Sequence, residues 1–142
     1  MTPKRIRLIT LLTSILLFII SLTQKCYCTS AGGCGDSLAV FLTGILGMLY
    51  GGAALTWLAN PVLFTSWIAV KIGPKVSLIA SLCSLLISLS FLLFRSIIDN
   101  EAGHYSAIVG YQAGYWLWTA SSLVMFAGNM ALRTLDKKKA SV

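Results

Sequence analysis

Residues 37–70 read SLAVFLTGILGMLYGGAALTWLANPVLFTSWIAV, thirty-four positions without a charge. Crossing a bilayer takes about 20 apolar residues. The run is therefore too long for one crossing and too short for two. Asn60-Pro61 is the natural place to divide it, because Asn caps helix N-termini and Pro suits the first helical position. This reading puts a spanning helix over 38–59 and a short interfacial helix over 61–70, with Trp57 and Trp67 at the headgroup level. Gly73-Pro74 then breaks the chain.

Outward from this run, three more apolar segments appear. The first follows Lys4, Arg5 and Arg7 and gives a span over 6–24. A basic start, a short apolar run and the small residues Thr29, Ser30 and Ala31 are also the pattern of a signal peptide. Snorkelling Arg7 and the polar extension through Thr23 and Gln24 favour an uncleaved span. Lys25 directly before Cys26 is wrong for a lipoprotein site. The other spans fall over 76–94 and 109–132. The last begins with Tyr111, Tyr115, Trp116 and Trp118, as expected near an interface.

The composition agrees with lipid as the main solvent. Only 11% of the residues are charged, against about 25% in soluble domains, and the mean hydropathy is +0.85. The formal net charge of +7 does not form a basic face interleaved with aromatics, so nucleic acid is not an expected partner. Nine of the eleven Lys and Arg fall at the N-terminus, around 71–75 and in the tail. Such charge is retained on the cytoplasmic side. The expectation is an all-α, four-helix membrane bundle with both termini inside and outer loops over 25–37 and 95–104. Asn60, Asn100 and Asn129 all lack a hydroxyl two residues on, and this absence of glycosylation sequons leans toward a bacterial inner membrane.

Small residues recur at helical spacing. Gly44, Gly47 and Gly51 mark the second span, with Gly47 and Gly51 in a GxxxG pattern. Ser77, Ser81, Ser84 and Ser88 mark the third. Gly110, Gly114, Ser121 and Gly128 mark the fourth. Helices in lipid associate through such faces. Their partners are the other helices of the chain, a second copy, or another membrane protein. Cys83 reads as a small buried apolar residue. No Asp, Glu, Lys, Arg or His lies inside the hydrocarbon core of a proposed span, and intramembrane ionisable groups are what mark ion and proton routes. The chain is similar to the small multidrug exporters in size and span count, but it lacks the first-span carboxylate those proteins carry. Tyr50, Gln112 and Asn129 are the polar candidates within the spans.

Chemistry concentrates in K25-C-Y-C-T-S-A-G-G-C-G-D36. Cys26, Cys28 and Cys34 would face an oxidising compartment, where they should not all stay free. Cys26–Cys34 or Cys28–Cys34 could close a small loop through Gly32-Gly33 and leave one thiol over. Two other readings remain open. The spans, orientation and outer cysteines resemble the DsbB-type membrane thiol oxidases. That resemblance implies a cysteine pair in each outer loop, whereas the second outer loop here has none. Alternatively, Cys26, Cys28, Cys34 and His104, with Asp99 and Glu101 nearby, could hold a soft metal ion. No phosphate loop, nucleophile elbow or dinucleotide fingerprint is present, so neither a catalytic residue nor an organic cofactor is expected. The sequence favours a small partner, accessory or immunity-type membrane protein acting through helix contacts. Thiol-disulfide or metal handling at the outer loop is the alternative.

Overall fold

The computed structural model describes residues 2–98 and 104–140, the side chains of 137–140 excepted. The chain is mostly helical. Helix α1 spans Pro3–Leu22, α2 Ser37–Gly47, α3 Ala59–Ile72, α4 Pro74–Ser90 and α5 Ala113–Ala140. Short 3-10 turns extend α2 over Met48–Tyr50, precede α3 over Gly52–Leu58 and follow α4 over Phe91–Leu93. Among the described residues, three continuous helical stretches are long and apolar enough to cross a membrane: Pro3–Leu22, Gly52–Ile72 and Pro74–Leu93. Helix α5 packs alongside them but is not among the three. Its Ser121, Ser122 and Asn129, with its aromatic first turns, dilute the apolar residues.

The break in the long apolar run is not at Asn60-Pro61. It falls at Gly51 and Gly52, whose φ angles are +72° and +59°. Side-chain-bearing residues rarely adopt that region, and glycine adopts it freely. A helix over 38–59 and a separate one over 61–70 are thus both replaced. A short α2 comes first, and one continuous helical stretch, Gly52–Ile72, follows. Pro61 is accommodated inside it. Proline has no N–H to return to the carbonyl four residues earlier. The Asn60 side-chain amide donates to that Trp57 carbonyl instead, at 3.0 Å. Asn60 therefore repairs a helix interior where a cap was expected.

Helix α1 packs on α5, α5 on α4, and α4 on α3. The contacts pair residues antiparallel, and hydroxyl groups make them. Ser14 Oγ donates to the Ser121 carbonyl at 3.0 Å, and Ser121 Oγ donates to the Ser14 carbonyl at 2.8 Å. Trp67 Nε1 joins that node by donating to Ser14 Oγ. Ser66 and Ser77 exchange bonds between α3 and α4. Ser84 Oγ donates to the Ala59 carbonyl and pairs with Ser122. Asn129 Nδ2 donates to Ser77 and Ser81. All four serines of the α4 stripe are fully buried. Helix α1 carries a matching face of Thr10, Ser14, Phe18 and Ser21. Their spacing of 4, 4 and 3 was legible in the sequence and is the stripe our reading missed.

The outer loops are not loops throughout. Strands β1 (Lys25–Thr29), β2 (Cys34–Asp36), β3 (Ser96–Ile98) and β4 (Tyr105–Tyr111) form one antiparallel sheet in the order β2-β1-β4-β3. The first connection thereby pairs with the second, with Cys28 opposite Gly110 and Thr29 opposite Ile108. Residues 105–111 belong to β4, so the last helix starts at Ala113 and not near 109. The sheet caps one end of the helices through a cluster of Ala53, Phe91 and Tyr115 with Tyr27, Ile97 and Ile108. Both ends of α2 stand at this capped end. Ser37 N donates to the Gln24 carbonyl beside β1, and Ala53, just past the glycine turn, lies in the cap cluster.

A sheet-capped chamber and its cysteines

Between the sheet, α2, the 3-10 turn before α3 and the start of α5 lies a half-open cavity of about 670 Å³. Its walls come from Phe41, Trp57, Phe91, Tyr115 and Trp118, with Cys26 and Ser37 at the sheet end and Asn60 below. Among the described residues no charged side chain lines it. Trp57 closes one side by lying against Gly44. A Cβ at Gly44 would run into the indole ring, and the ring N–H donates to the Phe41 carbonyl at 2.8 Å. Trp118 Nε1 donates to Asn60 Oδ1 at 2.8 Å. Trp57 and Trp67 are thus half-buried residues whose ring N–H groups are bonded within the chain.

Cys28 and Cys34 form a disulfide across the β1–β2 pair. Lys25 and Asp36 form an ion pair at the other end of that pair, at 2.6 Å. Both charges are well exposed, so this bridge contributes little. Cys26 is the thiol left over. It is 8% exposed and donates to the Gly35 carbonyl at 3.1 Å. Burial pushes this thiol up from its usual range, and the Asp36 charge adds to that. Its own and the Tyr27 backbone N–H groups and the Ser37 hydroxyl pull the other way. A neutral buried thiol is a poor nucleophile. Cys26 should therefore alkylate more slowly than an ordinary thiol at neutral pH, and its rate should climb only above the usual thiol range. A pH series of alkylation rates on the folded protein checks this; rapid labelling at neutral pH would contradict it.

The metal set does not assemble. Cys28 and Cys34 are bonded to each other, and among the described residues no three His, Cys, Asp or Glu gather as ligands. His104 is exposed; Asp99 and Glu101 lie outside the described residues. Cys83 is exposed on the outer side of α4 where burial was expected.

The expected packing residues divide. Ser77, Ser81, Ser84, Ser88 and Ser121 lie in helix interfaces, and Gly128 sits against Thr10. Gly114 abuts Ser37 and the Lys25 backbone. Gly44 receives Trp57, and Gly47 faces Ala54 at ordinary distance. Gly51 is a turn residue, and Gly110 is on β4. Gln112 stands at the strand-to-helix junction with Nε2 donating to Cys28 Sγ at 3.3 Å, and Tyr50 lines the chamber. Sequence reasoning missed the chamber itself, because its walls come from segments far apart in the chain.

No family model matches the chain, and no curated protein and no solved structure matches it.

Proposed function

We propose that this is a multi-pass membrane protein that works by binding, with its sheet outside the cytoplasm and both termini within. One observation carries the reading: the helices are polar inside and apolar outside. Ser14, Ser66, Ser77, Ser84, Ser88, Ser121 and Ser122 are 0% exposed, while Leu12, Leu16, Ile79 and Leu86 are 56%, 57%, 62% and 57% exposed. In water, apolar faces of that extent are a liability. In lipid, outward leucines are neutral and close small-residue contacts hold the helices together. The lysines at the 71–75 turn and in the tail lie at the opposite end from the sheet, which supports the sidedness. The small-residue faces are occupied within the chain. Contact with a partner protein, or with a second copy, then falls to the outward leucine faces and to the sheet edges.

A thiol-handling role gains no support from a buried, neutral Cys26. Sidedness is testable with one added cysteine at a time in a Cys83→Ser background, read above the signal of buried Cys26, using an impermeant maleimide on intact cells. His104→Cys should label directly. Thr2→Cys and Asp136→Cys should label only after permeabilisation. The reverse pattern, or labelling at all three sites, would overturn the proposal.

A further inference from the structure

We infer that the sheet-capped chamber is a binding site for one uncharged amphipathic lipid, with an apolar body and a single hydrogen-bond-accepting head near Ser37. The inference rests on the membrane reading above and adds the ligand class.

Three observations lead to it. The first is size. A water molecule's share of volume is about 30 Å³, so a chamber of about 670 Å³ holds on the order of twenty heavy atoms. Ligand cavities span about 300–1,000 Å³, and this one falls inside that range. The second is chemistry. The walls carry aromatic rings and small aliphatic groups and, among the described residues, no charge. A carboxylate or phosphate there would lie desolvated without a counter-ion, at a large cost. The third is an unmet polar group. Ser37 is 8% exposed, and its Oγ is buried with no well-formed hydrogen bond among the described residues, only a weak interaction with the Cys26 sulfur. It borders the chamber beside Cys26. Buried hydroxyls are normally bonded, and a carbonyl or hydroxyl oxygen of a ligand at this end would accept from it.

The chamber also has a thin wall on one side. Within α2 only Ser37 is buried. Val40, Phe41, Gly44 and Gly47 face the chamber, while Leu42 and Ile45 are exposed. A lipid-soluble molecule arriving from the bilayer meets apolar surface on both sides of this helix. The Gly51–Gly52 turn is the one covalent link at its far end.

The test uses the full chain in nanodiscs and a photoreactive medium-chain monoacylglycerol as probe. The expected result is saturable labelling of α2 and of the first turns of α5, displaced by unlabelled monoacylglycerol. The corresponding fatty acid should compete at least tenfold less well at neutral pH. Gly47→Leu fills the chamber next to Ala54, where the first added carbon meets only ordinary contact. It should reduce labelling at least tenfold. Ser37→Ala removes one hydroxyl and should weaken binding by roughly five- to tenfold, as loss of one hydrogen bond does. Both variants are checked for the Cys28–Cys34 disulfide and for an unchanged melting profile. If Gly47→Leu misfolds, Ser37→Ala decides. Labelling confined to the outward leucines, or unchanged in the folded variants, overturns the chamber. The sidedness experiment is independent of this one, so the two readings can fail separately.

Discussion

Gly114→Ala is expected to destabilise the folded chain by about 1–3 kcal/mol. The sign is informative. In an exposed helix, alanine is better than glycine by up to about 1 kcal/mol, so helix propensity alone predicts stabilisation. Here a Cβ would meet Ser37 Oγ and would stand 2.7 Å from the Lys25 carbonyl oxygen. Ser37 could rotate away, but the Lys25 backbone is fixed by the sheet. The close approach of α5 to β1 requires glycine at this position. Gly110→Ala is the matched control. Its added carbon would find only Gln112 Nε2, at 3.8 Å, and its effect should stay within about 0.5 kcal/mol. Thermal midpoints in detergent decide between them. A drop of roughly 5–10 °C is expected for Gly114→Ala and little change for Gly110→Ala. Equal effects would remove the distinction between the two glycines.

Loss of the Cys28–Cys34 bond is expected to cost about 2 kcal/mol. The bond closes a loop with a sequence separation of 6, and the constraint on the unfolded chain scales with loop length. A small loop therefore gives a modest effect. The β1–β4 pairing and the cap cluster do not depend on the bond, so the sheet should persist without it. Cys28→Ser with Cys34→Ser should lower the thermal midpoint and abolish its sensitivity to reductant. Wild-type protein treated with reductant should match the double variant. If reductant leaves the wild-type midpoint unchanged, the bond does not contribute to stability.

Much of the helical body was legible because hydropathy and small-residue spacing are local signals. Ser77, Ser81, Ser84 and Ser88 repeat at helical steps, and the structure buries all four. The sheet was not legible. Residues 25–37 read as an outer loop, and 109–111 read as the start of the last span because they continue an apolar run. What makes them strands is pairing between segments some eighty residues apart, and no local pattern reports such a pairing. The misplaced break has a different cause. Asn60-Pro61 carries strong helix-start signals, yet the Asn60 side chain supplies the hydrogen bond Pro61 cannot make. Gly51-Gly52 carries a turn signal that was read as packing. For the chamber, the sequence offered Gly44 and Cys26 separately, and only the fold shows that they share a cavity.

The position of α2 has a geometrical consequence. The expected arrangement and the one proposed above leave every loop on the same side, so charge distribution cannot distinguish them. They differ in where the extra helix lies. With both of its ends at the sheet, α2 adds a fifth rod to that half of the molecule, while the basic half keeps four. In the proposed orientation the protein would then occupy more lateral area in the outer leaflet than in the inner one. Such a wedge sits most easily where the membrane bulges toward the sheet.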